Sequence, residues 1–122
     1  MGNMKISFFA VDVLEMFEYY ERAFKAELKF KGYGSEGEII HLEMDIMGNR
    51  FAIAPRSPQE MAEMTYGDNI VIDLKFKDKQ ALLDAYGVLI KGGESEGLSE
   101  YPWSPLQGSV SDKFRNKWII GL

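Results

Sequence analysis

The sequence predicts an α+β protein in which one βαβββ unit is used twice, with helices on one face of curved mixed sheets. Two internal echoes and one alternation pattern carry that reading. Asn49, Arg50, Phe51 and Ile53 are matched by Asn116, Lys117, Trp118 and Ile120 at an offset of 67, each time as a turn that launches a short apolar strand. Upstream, Asp12, Met16, Phe17, Tyr20, Ala23, Phe24 and Lys25 find Asp78, Leu82, Leu83, Tyr86, Leu89, Ile90 and Lys91 at an offset of 66. Residues 39–47 alternate apolar and polar side chains, the mark of a strand with one buried face. Segments that share both a helix signature and a closing strand are one supersecondary unit repeated.

Each element follows in order. Residues 4–11 are apolar and aromatic and stop at Asp12, whose carboxylate suits a helix N-cap, with Glu15 three residues on as in a capping box. From 13 to 24, Leu14, Phe17, Tyr20 and Phe24 recur at helical spacing, while Glu15, Glu18, Glu21 and Arg22 fill the other face. Strands are expected at 28–33 and 39–47, with a turn at 34–37 between them and a hairpin closed by Gly48 and Asn49 into a fourth strand. Residues 55–69, with two prolines, read as the connection. The second unit repeats the order: a strand at 70–76, a helix from the Asp78 cap to about Ile90 ended by Gly92 and Gly93, and a weak strand at 95–99. A loop over 100–107, holding Trp103 between Pro102 and Pro105, precedes a hairpin of 108–111 and 118–122.

Composition narrows the function classes. A chain of 122 residues is a single domain's length, here module one at 4–55, a linker at 56–68 and module two at 69–122. A net charge of -5 without a basic cluster argues against nucleic acid. No apolar run approaches the roughly 20 residues of a membrane span. No cysteine and one histidine exclude thiol nucleophiles and closed zinc sites. The opening residues lack the basic and apolar regions of a signal peptide, so a cytoplasmic location is expected.

The run WSPLQGSVSDKFRNKW, from Trp103 to Trp118, resembles without a gap the closing motif of PhnB-like proteins of the vicinal oxygen chelate superfamily. That superfamily includes glyoxalase I, fosfomycin resistance enzymes, extradiol dioxygenases and bleomycin-binding proteins. Trp103, Gly108, Val110, Asp112, Phe114 and Trp118 match the motif, while Ser104, Lys113 and Arg115 stand where Gly, Pro and Gly are usual. The resemblance extends through EYYERAFKAEL at 18–28 and IHLE at 40–43. It implies sheets that curve around a concave cavity and a homodimer as the assembly. It also implies metal ligands from the first, fourth, fifth and eighth expected strands, where this chain has Lys5, Ala52, Val71 and Ile119. Three of those side chains have no donor atom, so neither a metal nor another cofactor is expected.

Strand alternation sorts the candidates. The helix-facing set is the apolar one: Ile6, Phe8 and Ala10; Ile40, Leu42, Met44 and Ile46; Phe51 and Ile53; Ile70, Ile72, Leu74 and Phe76; Trp118 and Ile120. On the other face, His41 with Glu43 is a candidate acid/base pair near neutral pH. A solvated strand face of His41, Glu43 and Asp45 is the plain alternative. Lys5, Ser7, Phe9, Asp73, Trp103 and Ile119 are the expected ligand contacts, a few polar groups set in apolar walls. Lys5, Asp73 and Lys75 are a candidate charge network, and Trp103 is either a lid or a buried anchor. Met61 and Met64 suit a dimer seam or gap filling. The functions that follow are capture of a small organic molecule without a metal, metal-free acid/base catalysis at His41 and Glu43, or an interaction domain with no ligand.

Overall fold

The computed structural model describes residues 2–122, which form two compact units divided between Thr65 and Tyr66. The first unit runs β1 (Ile6–Ala10), α1 (Val13–Phe24), β2 (Glu27–Tyr33), β3 (Ile39–Ile46) and β4 (Asn49–Pro55), followed by a short helix α2 (Pro58–Ala62). Its sheet is ordered β1-β4-β3-β2, with β1 parallel to β4 and the other pairs antiparallel. The second unit runs β5 (Ile72–Lys75), α3 (Lys79–Leu89), β6 (Glu94–Ser95), β7 (Ser99–Tyr101), β8 (Ser104–Ser111) and β9 (Lys117–Gly121). Its sheet is ordered β5-β9-β8-β6, with β7 also paired to β8 and β5 parallel to β9.

Local chemistry sets the helix ends. The Asp12 carboxylate accepts the Glu15 N–H at 3.0 Å and the Asp78 carboxylate accepts that of Ala81 at 2.9 Å, each satisfying an N–H that the first helical turn leaves without a partner. The connection between the units contains α2. Ser57 Oγ accepts the Glu60 N–H and the Glu60 carboxylate accepts the Ser57 N–H, a full capping box with Pro58 at the first turn.

The helix-facing sides are the core. Met16, Phe17, Tyr20, Leu42, Met44, Ile46, Phe51 and Ile53 are buried in the first unit, and Leu74, Leu82, Leu89, Trp118 and Ile120 in the second. The expected set fails at its ends. Ile40 is 48% exposed, because a helix of 12 residues is about 18 Å long while a strand of 8 extends about 27 Å, so α1 cannot cover all of β3. Leu14 is exposed too, and Val13, Met16, Tyr19 and Ala23 join Phe17, Tyr20 and Phe24 in the buried stripe.

Ile70, expected in the core, is 76% exposed and precedes β5. Ile72 pairs with Trp118, so the same register would set Ile70 against Asn116, which lies in the turn before β9 and offers no ladder. The β3–β4 turn is formed by Met47 and Gly48 (φ 51° and 78°), with Asn49 already in β4 and bonding back to the Met47 carbonyl. Two successive left-handed residues match the twist of a two-residue hairpin. The weak strand at 95–99 is two strands, separated at Gly97 (φ 102°). The loop expected over 100–107 is instead a hairpin: Tyr101 pairs with Ser104, leaving only Pro102 and Trp103 as its turn.

Candidate functional site

In the first unit, the sheet face opposite α1 gathers a charge network around Glu43. Register places Ser7, Ala52, Glu43 and Phe30 in one row across the four strands. Paired residues share a face, so Lys5, His41 and Arg50 surround this row. Glu43 Oε2 accepts from Lys5 Nζ at 2.8 Å and from His41 Nε2 at 2.9 Å, while Oε1 accepts from Arg50 Nη1 at 2.8 Å. Arg50 Nε also donates to Asp45 Oδ1 at 2.6 Å, and Lys29 bridges Asp45 and Glu27. A hydrogen bond from Lys5, reinforced by those of His41 and Arg50, lowers the Glu43 pKa from its ordinary 4.5 to about 2.

That value separates the roles of the expected acid/base pair. Glu43 stays ionised at neutral pH and therefore only accepts hydrogen bonds, so His41 donates through Nε2, and in the neutral form of the ring the Nδ1 lone pair is left to accept. Glu43 orients the imidazole, and His41 Nδ1 is the atom that can take a proton from a bound molecule. Lys5 is held by Glu43, and the first-unit network is Lys5, Glu43, Arg50 and Asp45. Lys5, Glu43 and Arg50 also border a hollow of about 490 Å³ at the β3–β4 turn. Ser7 is exposed in the row beside Ala52. The half-buried Phe9 ring lies beneath the Arg56 guanidinium, 3.9 Å from its carbon.

The second unit holds a cavity of about 530 Å³, within the usual size of small-molecule sites. Val71, Ile119 and Tyr101 give it apolar and aromatic walls, and Glu94, Glu96 and Lys117 give it charge. Lys117 bonds the Gly67 carbonyl and the Asp68 carboxylate, whose pKa is lowered by that contact. Ile119, an expected contact, lines this cavity, and Asp73 is its register partner on β5 but is exposed outside the lining. Trp103 is neither buried anchor nor cavity wall: it is 65% exposed and stacks on Tyr101, with ring centroids 5.2 Å apart and planes at 16°. Tyr101 lines the cavity along with Trp118, and it escaped sequence reasoning because the hairpin was read as a loop.

The motif residues around Asp112 are architectural. Its carboxylate, buried at 2% exposure, accepts from the Trp118 indole N–H at 2.9 Å and from the Phe114 and Asn116 backbone N–H groups at 2.9 and 3.0 Å. A Cβ on Gly108 would stand 2.4 Å from the Gly97 carbonyl oxygen, so this strand approach needs glycine.

The positions at which the resemblance expects metal ligands do not form a ligand set. Lys5 is committed to Glu43, and Ala52, Val71 and Ile119 have hydrocarbon side chains. Among the described residues no three His, Cys, Asp or Glu side chains come together as a metal site. No described helix is long and apolar enough to cross a membrane.

No protein-family model and no curated protein matches the chain. Solved structures do, over nearly its full length. A PhnB protein of Bacillus cereus superposes with a TM-score of 0.78 at 18% identity, covering 98% of this chain and 97% of that one. A glyoxalase/bleomycin resistance protein/dioxygenase family enzyme of Burkholderia phytofirmans gives 0.69 at 18%, covering 95% and 94%. The fosfomycin resistance protein FosX of Listeria monocytogenes, solved with Mn(II) and a dihydroxypropylphosphonic acid, gives 0.71 at 13%, covering 98% and 90%. The chain thus has the α+β glyoxalase/bleomycin resistance-type fold. That fold is the one found across the vicinal oxygen chelate superfamily, PhnB proteins included.

Proposed function

We propose that this protein captures a small organic molecule without a metal, at sheet faces turned away from the helices. The carrying observation is that Val71 and Ile119, two of the four positions at which the resemblance expects ligands, are apolar walls of the 530 Å³ cavity. Hydrocarbon there removes coordination and adds surface on which an organic molecule gains by leaving water. The test is an unbiased thermal-shift screen of metabolite-sized compounds, followed by Tyr101→Ala and Trp103→Ala on any hit. A binder at this cavity loses affinity in Tyr101→Ala, and in Trp103→Ala to the extent that the stacked indole holds Tyr101 in place. A screen in which no compound raises the melting temperature removes the reading and leaves a ligand-free interaction domain.

A second reading, metal-free acid/base catalysis, is favoured by the bond between His41 and Glu43 and by the open Nδ1. A well-placed base contributes on the order of 100- to 10,000-fold. Under this reading His41→Ala abolishes turnover of a hit compound while its affinity is kept, and a hit that is bound but never converted removes it. The assembly we propose is a homodimer, consistent with α2, which buries none of its own residues and carries Met61. Sedimentation as a monomer at micromolar concentration would contradict it.

A further inference from the structure

A register shift between Leu28 and Phe30 on β2 has a consequence for the first unit. Two residues apart on a regular strand, these side chains would share a face. The extra residue, Lys29, sets Leu28 opposite Met44 on the helix side and Phe30 opposite Glu43 on the other. Phe30 therefore stands on the face of the His41–Glu43 pair, its ring centroid 6.2 Å from that of the imidazole and tilted by 57°. It is 53% exposed. Gly32 lies beside it in register with His41, and a Cβ there would come within 3.3 Å of the Phe30 ring. The bulge and the glycine together hold an aromatic ring in the open next to an imidazole whose Nδ1 is unused. The neighbouring charges balance: Lys5, Lys29 and Arg50 against Glu27, Glu43 and Asp45.

We infer that Phe30 is a ligand contact of the first unit, stacking on an uncharged planar ring whose hydroxyl or amide N–H donates to His41 Nδ1. The inference rests on the capture reading and gives that reading a substrate class and a contact residue. Balanced charges disfavour an ionic ligand, since any net charge brought in displaces an existing pair. The exposed ring supplies the apolar surface, and aromatic pairs gain beyond simple burial.

The probe is 2-naphthol, with saturated decahydro-2-naphthol as control, titrated into the whole chain. His41 is the single histidine, so its ring proton resonances report directly on this spot. Binding of 2-naphthol is expected to move them. Phe30→Leu, which keeps an apolar side chain, is expected to weaken 2-naphthol about three- to tenfold and the saturated control by less than twofold. Gly32→Ala, which displaces the ring while keeping it, is expected to weaken 2-naphthol similarly, with unchanged circular dichroism showing both variants folded. Equal affinity of wild type and Phe30→Leu, or 2-naphthol binding that leaves the His41 resonances still, overturns the inference. So does failure of 2-naphthol to bind at all. If the thermal-shift screen nonetheless yields a ligand lost in Tyr101→Ala, capture stands without Phe30; if the screen is empty, both fall.

Discussion

Truncating Asp112 is the sharpest test of the architecture that holds the second unit's closing hairpin. In Asp112→Ala the indole N–H of Trp118, a residue with no exposed surface, loses its 2.9 Å acceptor, and the Phe114 and Asn116 N–H groups lose theirs. An unsatisfied buried donor costs about 1–3 kcal/mol. The two turn N–H groups belong to half-buried residues and recover part of their bonding from water, so each costs about 0.5–1 kcal/mol. The expected loss is about 2–5 kcal/mol, a large share of the 5–15 kcal/mol by which domains are stable. Asp112→Asn keeps one acceptor oxygen and is expected to lose about half as much. Urea melts followed by tryptophan fluorescence, which includes Trp118, give both values directly. A stability of Asp112→Ala within about 0.5 kcal/mol of wild type would refute the assignment of Asp112 as the buried organiser of this turn.

Three further outcomes are expected. Gly108→Ala should cost at least about 2 kcal/mol in the same melts, because its Cβ would meet the Gly97 carbonyl oxygen at 2.4 Å and the backbone there has to move. Glu43, with a folded pKa of about 2 against an ordinary 4.5, contributes stability that is present above about pH 4.5 and lost as pH falls toward 2. Glu43→Gln should therefore flatten the acid limb of the stability curve in that window, and an unchanged limb would count against the network. Elemental analysis of purified protein should find no stoichiometric zinc, nickel, iron or manganese; a full equivalent of any would contradict metal-free capture and make His41 and Glu43 the first residues to test as ligands.

Much of the fold was legible because its signals are local. Asp12 and Asp78 announced helix starts, and the alternation of 39–47 announced β3 with its buried side. What was not legible depended on register. Tyr101 pairs with Ser104 around Pro102 and Trp103, a hairpin whose prolines pointed to a loop, since proline withholds a ladder donor. The displacement of Phe30 to the His41 face is set by a bulge, and a bulge inverts the alternation from which sidedness is read. Glu43's partners were half visible: His41 follows from period two and Arg50 from the β3–β4 hairpin, whereas Lys5, the residue before β1, arrives only once the parallel pairing of β1 with β4 is known. The Asp112 motif was legible as a resemblance, whereas its role as acceptor for Trp118 depends on the turn that brings the two together.

The repeat itself shows where selection for packing stops. Parallel pairing sets Phe8 against Ile53 in the first unit and Leu74 against Ile120 in the second, which are the same positions at the offsets of 66 and 67 seen in the sequence. Phe51 and Trp118 correspond in the same way. All six are buried and apolar, since each must fill the space beneath a helix. On the opposite face the same correspondence sets Lys5 with Val71, Ser7 with Asp73 and Ala52 with Ile119. Neither charge nor size is kept there. Apart from Ala52, which is buried, these side chains are exposed or half-buried, so core packing does not fix them, and the two units carry different chemistry: an ion-paired imidazole in the first and an apolar-walled cavity in the second. The four positions at which the resemblance expects metal ligands are two such corresponding pairs, Lys5 with Val71 and Ala52 with Ile119. In the first unit, replacing Lys5 would break the Lys5–Glu43 bond beside the one that orients His41.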